Sequence, residues 1–152
     1  MPAKTSCSDY ALYYIHRFPK TEKELRLQLL KKWYPQADID QTITFLKSKN
    51  YVSDRVFAKL YIESELIKKG KAKILVQQKL SEKGIDRHLI QDLLTQYEDE
   101  IQEGLHRHLA QEIAHYKQQW LEGIEIVQKL MRKGYRYRDI KHYVTHQEQE
   151  SD

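Results

Sequence analysis

Apolar residues recur along this chain at helical spacing, and three times they do so around the same kind of centre. Gly84 and Gly134 are each preceded by a lysine (Lys83, Lys133), by leucine four positions back (Leu80, Leu130) and by Val76 or Ile126 eight back. Ile85 or Tyr135 follows directly, Ile90 and Ile140 lie six ahead, and Leu94 and Val144 lie ten ahead. Around Trp33, 51 residues upstream of Gly84, the same offsets pick out Leu25, Leu29, Lys32, Tyr34, Ile39 and Ile43. Self-similarity at one period marks stacked supersecondary units.

The offsets also predict the local structure. Positions four apart lie on one face of a helix, so each copy is a helix, a tight turn and a second helix. Glycine at the centre suits a helix C-terminus, where a left-handed residue closes the last turn; Trp33 departs from that rule. The lysine before it falls in the last turn, favourable to the helix dipole and predicted to be exposed. A further helix precedes each pair. In the first copy Tyr10, Ala11, Tyr14, Ile15 and Phe18 form its stripe, stopped by Pro19, and Thr21–Glu24 reads as a capping box for the next helix. In the second, Val56, Phe57, Leu60, Tyr61, Ser64, Leu66 and Ile67 run up to Gly70; in the third, Leu105, Leu109, Ile113 and Tyr116 run up to Trp120.

The expected fold is therefore all-α, with three tandem three-helix units of helix-turn-helix type over 9–51, 52–97 and 98–147. They form an elongated, curved array, followed by a polar tail, 148–152, that frays. The acidic stretch Tyr97–Glu103 is either a hinge or the first turns of a long helix, and the second is preferred. Five glycines and three prolines in 152 residues agree with this reading.

Charge adds a pattern to the fold. The net value is +4, but its distribution says more. From Leu66 to Lys83 six lysines face one glutamate, and from Gly84 to Glu112 seven acids face two arginines. From Lys129 to Lys141 six cations face Asp139 alone. Two basic blocks around an acidic one suit two separate anionic contacts, or one polyanion bridged by both.

Several function classes are excluded. Cys7 is the only cysteine, so neither an internal disulfide nor a thiolate zinc cluster is expected. Met1 to Tyr10 lacks a leader's apolar run and no uncharged stretch spans a bilayer, which predicts a cytoplasmic protein without membrane contact. No glycine-rich phosphate loop, catalytic constellation or cofactor motif is present. His142, His146 and Glu150 have i, i+4 spacing, and His108 and His115 could share a face, but these lie on polar stretches and read as exposed histidines. No metal site is expected, and the protein is not expected to be an enzyme.

The segments Tyr51–Ala58, Gly70–Ile74 and Leu80–Asp86 resemble the central unit of the regulatory protein RecX family. That family combines G-Y-x-D-D-x-x-F-A, G-x-x-x-I and L-x-x-K-G-I segments. Ala11–Ile15 with Thr21–Leu25 is similar to its first unit, and Trp120–Val144 to its third. Departures are Trp33 for a glycine, Asn50 for the glycine before Tyr51, Asp54 alone of an acidic pair, and Glu63 and Glu65 where basic residues are common. The resemblance implies a monomeric partner of the RecA recombinase filament, reaching single-stranded DNA through that filament and restraining strand exchange and ATP turnover. It implies no cofactor and no catalytic residue. On this reading the contact candidates are Lys68, Lys69, Lys71 and Lys73, then Lys133, Arg136, Arg138 and Lys141, with Tyr135 and Tyr137 able to stack or to pack. The rival readings are a general helical DNA-binding protein and a protein-binding scaffold.

Overall fold

The repeated apolar offsets do become helices. The computed structural model describes residues 5–151. Residues 1–4, part of the stretch read for a leader, and residue 152, the end of the polar tail, lie outside them. Among the described residues there are nine α-helices and no strand: α1 Cys7–Arg17, α2 Glu22–Lys31, α3 Gln36–Ser48, α4 Asp54–Tyr61, α5 Lys73–Glu82, α6 Arg87–Gln96, α7 Glu98–Gln118, α8 Ile124–Arg132 and α9 Tyr137–Glu150. A π-helical segment, Ile62–Lys68, continues α4. The acidic stretch opens the 21-residue helix α7, where acids meet the positive end of the helix dipole.

The chain divides into two compact units: Met1–Ile62 with Val76–Gln96, and Glu63–Leu75 with Tyr97–Asp152. In the first, Cys7, Ala11, Leu25, Leu29, Ile39, Ile43, Leu46 and Val52 form one apolar cluster, flanked by Tyr10, Tyr14, Ile15 and Tyr34. In the second, Leu109, Tyr116, Ile126, Leu130 and Ile140 form the corresponding cluster. Burying each leucine-sized side chain is worth about 1.5–3 kcal/mol, so the repeated positions carry both cores. Those eight back, four back and six ahead of the three centres are all buried. The exception at ten ahead is Val144, 42% exposed on the last helix.

The centres close their helices in one way. Trp33, Gly84 and Gly134 all have positive φ, at 63°, 86° and 103°. In each case the next residue's N–H donates five residues back, Tyr34 to Leu29, Ile85 to Leu80 and Tyr135 to Leu130, which is the Schellman closure. Asn50 and Trp120 repeat it, with Tyr51 donating to Leu46 and Leu121 to Tyr116. Trp33 and Trp120, the chain's two tryptophans, thus adopt a conformation that disfavours a Cβ while standing 85% and 93% exposed. Little burial offsets the strain, about 1–2 kcal/mol for such a residue. Trp33→Gly is therefore expected to raise stability by about 1 kcal/mol, read as a higher urea midpoint at unchanged slope.

The capping box forms: Thr21 Oγ1 accepts from the Glu24 N–H at 3.2 Å, and Glu24 accepts from the Thr21 N–H at 3.1 Å. Thr21 is fully buried because its hydroxyl also donates to the Lys83 carbonyl at 2.6 Å, tying the start of α2 to the α5–α6 turn. Lys83, predicted exposed, donates to Glu24 at 2.8 Å, and Lys133 donates to Glu112 at 2.6 Å. Burial alone would raise the Glu24 pKa, but hydrogen bonds from Lys83 and the Thr21 N–H bring it below the usual glutamate range.

One stripe differs from expectation. Val56 and Leu60 of α4 are exposed, whereas Ala58, Ile62 and Leu66 are buried. The apolar run is continuous enough to allow either face, and packing chooses the second. The expected and observed faces share Leu66, which the widened π-helical turns carry inward.

Candidate nucleic-acid interface

The second unit assembles a cleft from residues of both basic blocks. The turn that follows the π-helix begins at Gly70, whose φ of 69° reverses the chain. A Cβ there would fall 2.6 Å from the His108 ring, so α7 sits against this turn. The contact is reinforced at the π-helix end, where the Ile67 carbonyl accepts from Arg107 Nη2 at 3.1 Å and has His108 Nε2 at 3.1 Å. Gly104 admits the close approach, since a Cβ would lie 3.0 Å from the Ile67 oxygen. The α8–α9 turn, closed at Gly134, supplies the facing wall.

Between these walls lies a cleft of about 670 Å³. It is lined by Lys71, Lys73, Lys133, Arg136 and Arg138, five of the eight candidates, against the acids Glu98 and Asp139. Lys68, Lys69 and Lys141 do not line it. Tyr135 lines it while half-buried, with its hydroxyl pKa raised by burial and by the Glu112 charge, whereas Tyr137 is exposed and outside.

The candidates differ in what their charges already meet. Lys69 and Lys71 both pair with Glu65, the first at 2.7 Å, and their hydrogen bonds hold its carboxyl below the usual range. Lys73 lies 3.5 Å from Glu98. Lys133 pairs with Glu112, which raises the ammonium's pKa, and lies over the Tyr116 ring. Among the described residues Lys68, Arg136, Arg138 and Lys141 make no ion pair, and of these Arg136 and Arg138 line the cleft. The Lys73–Glu98 pair is exposed on both sides and holds its lysine by only about 0–1 kcal/mol, so an incoming anion can compete for it. The two arginines need release from nothing.

Sequence reasoning missed one component. His142 and His146 are exposed, as expected, but His106 of α7 joins them, with ring centroids 5.8–6.3 Å apart. All three line the cleft. The i, i+4 spacing of the α9 pair was visible, but nothing local ties His106 to them. Among the described residues no group of three or more His, Cys, Asp or Glu is arranged to hold a metal ion. None of the described helices is long and apolar enough to cross a membrane.

A family model for the first three-helix domain of RecX matches residues 7–46, and one for its second three-helix domain matches residues 53–94. Together they take in more than half of the chain. The chain belongs to the RecX family. Regulatory protein RecX of Geobacillus kaustophilus is 30% identical over 149 residues, which are 92% of this chain and 55% of that protein. RecX of Clostridium beijerinckii is 40% identical over 68 residues, 45% of this chain and 32% of that one. The match thus spans about half the length of the first relative and about a third of the second. Both are named as regulatory proteins, not as enzymes. The crystal structure of RecX from Lactobacillus salivarius aligns with a TM-score of 0.74 at 22% identity, covering 92% of this chain and 93% of that one. A second RecX crystal structure aligns at 0.67 and 21% identity, over 90% and 70% of the two chains. At such identities the likeness establishes the RecX fold.

Proposed function

We propose that this RecX chain is a non-catalytic regulator that binds RecA filaments on single-stranded DNA. There it restrains recombinase, ATPase and coprotease activity during DNA repair, recombination and the SOS response. The observation that carries this reading is family membership, since the relatives it matches are named as regulators. The cationic cleft supports it with a surface suited to a phosphate backbone already exposed by a filament. Three helical repeats, 9–51, 52–97 and 98–147, would each offer a contact to a periodic partner, and linked contacts add through effective concentration. The expected site is cytoplasmic and the expected active form a monomer.

The rival reading as a duplex-reading helix-turn-helix protein meets an obstacle in α6. Asp86, just before that helix, and Asp92 within it make it a poor major-groove reader. A sedimentation assay separates the two. The protein is expected to pellet with RecA filaments on single-stranded DNA and to stay in the supernatant with bare duplex. The reverse distribution would reject the proposal in favour of a general DNA-binding protein.

A further inference from the structure

The three-histidine cluster lines the same cleft as its unpaired arginines, and it has no role in the regulatory reading above. Its rings come from two helices, His106 from α7 and His142 and His146 from α9. Tyr143 backs His106 edge-on at 5.6 Å between centroids. Each ring lines the same cleft as Arg136 and Arg138. Charged groups line the cleft around the cluster from each wall. The segment after the π-helix contributes Lys71 and Lys73, α7 contributes Glu98, the α8–α9 turn contributes Lys133 and Arg136, and α9 contributes Arg138 and Asp139. Glu150 lies beside His146, with its carboxylate 3.9 Å from Nδ1.

Glu65, Glu98 and Glu112 already pair with the three lysines of the cleft, but Arg136 and Arg138 meet no acid within ion-pair distance among the described residues, and they make the cleft a seat for an anion. Histidine is the side chain that changes charge between about pH 5 and 8, and a nearby opposite charge favours the charged form. A phosphate placed among the three rings therefore draws protons onto them. By linkage, the proton that follows the anion in also makes the anion hold more tightly as pH falls.

We infer that the cleft of the second unit is a binding site for the phosphates of a polyanion, a single-stranded nucleic-acid backbone or a free polyphosphate, and that His106, His142 and His146 take up protons as the anion seats. Binding then strengthens toward acid pH, and each proton taken up contributes up to about tenfold per pH unit. Arg136 and Arg138 supply the pH-independent part. This inference takes its ligand chemistry from the functional reading above. Its test contains no RecA, so the two stand or fall separately.

The experiment measures binding of fluorescent oligothymidylate, and separately of inorganic tripolyphosphate, to the full chain at constant ionic strength, at about pH 6 and about pH 8. Wild-type protein is expected to bind at least about tenfold more tightly at the lower pH. Binding by the His106→Gln/His142→Gln/His146→Gln variant is expected to change by less than about twofold between the two pH values. Oligomer binding alone identifies a nucleic-acid backbone as the ligand, and equal pH-linked binding of tripolyphosphate identifies phosphate as such; either supports the site. Equal pH dependence in variant and wild type overturns it. So does unchanged affinity in Arg136→Gln/Arg138→Gln. Histidine ring proton signals of the wild-type protein give a readout that needs no variant. Near pH 7, added ligand must move three of them toward their imidazolium positions, and no movement also overturns the inference.

Discussion

Gly84→Ala is expected to destabilise the first unit by about 3 kcal/mol, whereas Gly134→Ala costs the second unit only about 1 kcal/mol. Both glycines close a helix with positive φ by the same pair of hydrogen bonds. The backbone term is therefore shared, about 1 kcal/mol for a residue with a Cβ in this region. Their surroundings are not shared. A Cβ on Gly134 meets nothing within 4 Å, while one on Gly84 would lie 2.6 Å from Lys23 Cβ. That atom sits next to the backbone of α2 and cannot swing aside. The turn must move away from α2, and three links stretch with it: Thr21 to the Lys83 carbonyl, Lys23 to the Glu82 carbonyl, and Lys83 to Glu24. Losing a buried capping contact and a charged hydrogen bond adds about 2 kcal/mol. Urea unfolding of the two variants, side by side, measures the difference.

Arg136→Gln/Arg138→Gln is expected to weaken binding to RecA filaments on single-stranded DNA by about tenfold or more, and to lower the salt slope by about 1.4. The size follows from what these guanidiniums do in the free protein. They make no ion pair among the described residues, so their full charge is available to a phosphate, and both face the cleft. Lys69→Gln is the control. Its ammonium is held by Glu65 at 2.7 Å and does not line the cleft, so its loss is expected to change affinity less than about twofold. Titrations at several salt concentrations provide both numbers. Equal losses for the two variants would mean that net charge matters and the cleft does not.

Most of the fold was legible because the repeat writes its own geometry. Leucines and isoleucines at fixed offsets from Trp33, Gly84 and Gly134 fall on one helix face, and the structure buries them there. The left-handed closure was legible at Gly84 and Gly134; at Trp33 only the apolar offsets were, and the tryptophan adopts the same closure without the glycine. What escaped depends on long-range packing. The inward face of α4 could not be chosen from an apolar run that offers two faces, and no local pattern marks the π-helix at Ile62–Lys68. The exposed lysines expected before the closures became ion-pair donors only because Glu24 and Glu112 arrive from other helices.

The candidate site was half legible for the same reason. Two basic blocks were evident in the chain, and the fold draws residues from both into one cleft. Charge counting could not separate Lys69 and Lys71, already satisfied by Glu65, from Arg136 and Arg138, which are not. Nor could it bring His106 to His142 and His146, since that requires α7 to pack on α9.

The proposal that this chain regulates the RecA filament is tested most directly by following RecA's ATP hydrolysis on single-stranded DNA while the protein is titrated in. Hydrolysis is expected to fall at amounts well below that of RecA, because one regulator bound in a cooperative filament affects many protomers. Unchanged hydrolysis across the titration, with tight binding to bare duplex instead, would contradict the account.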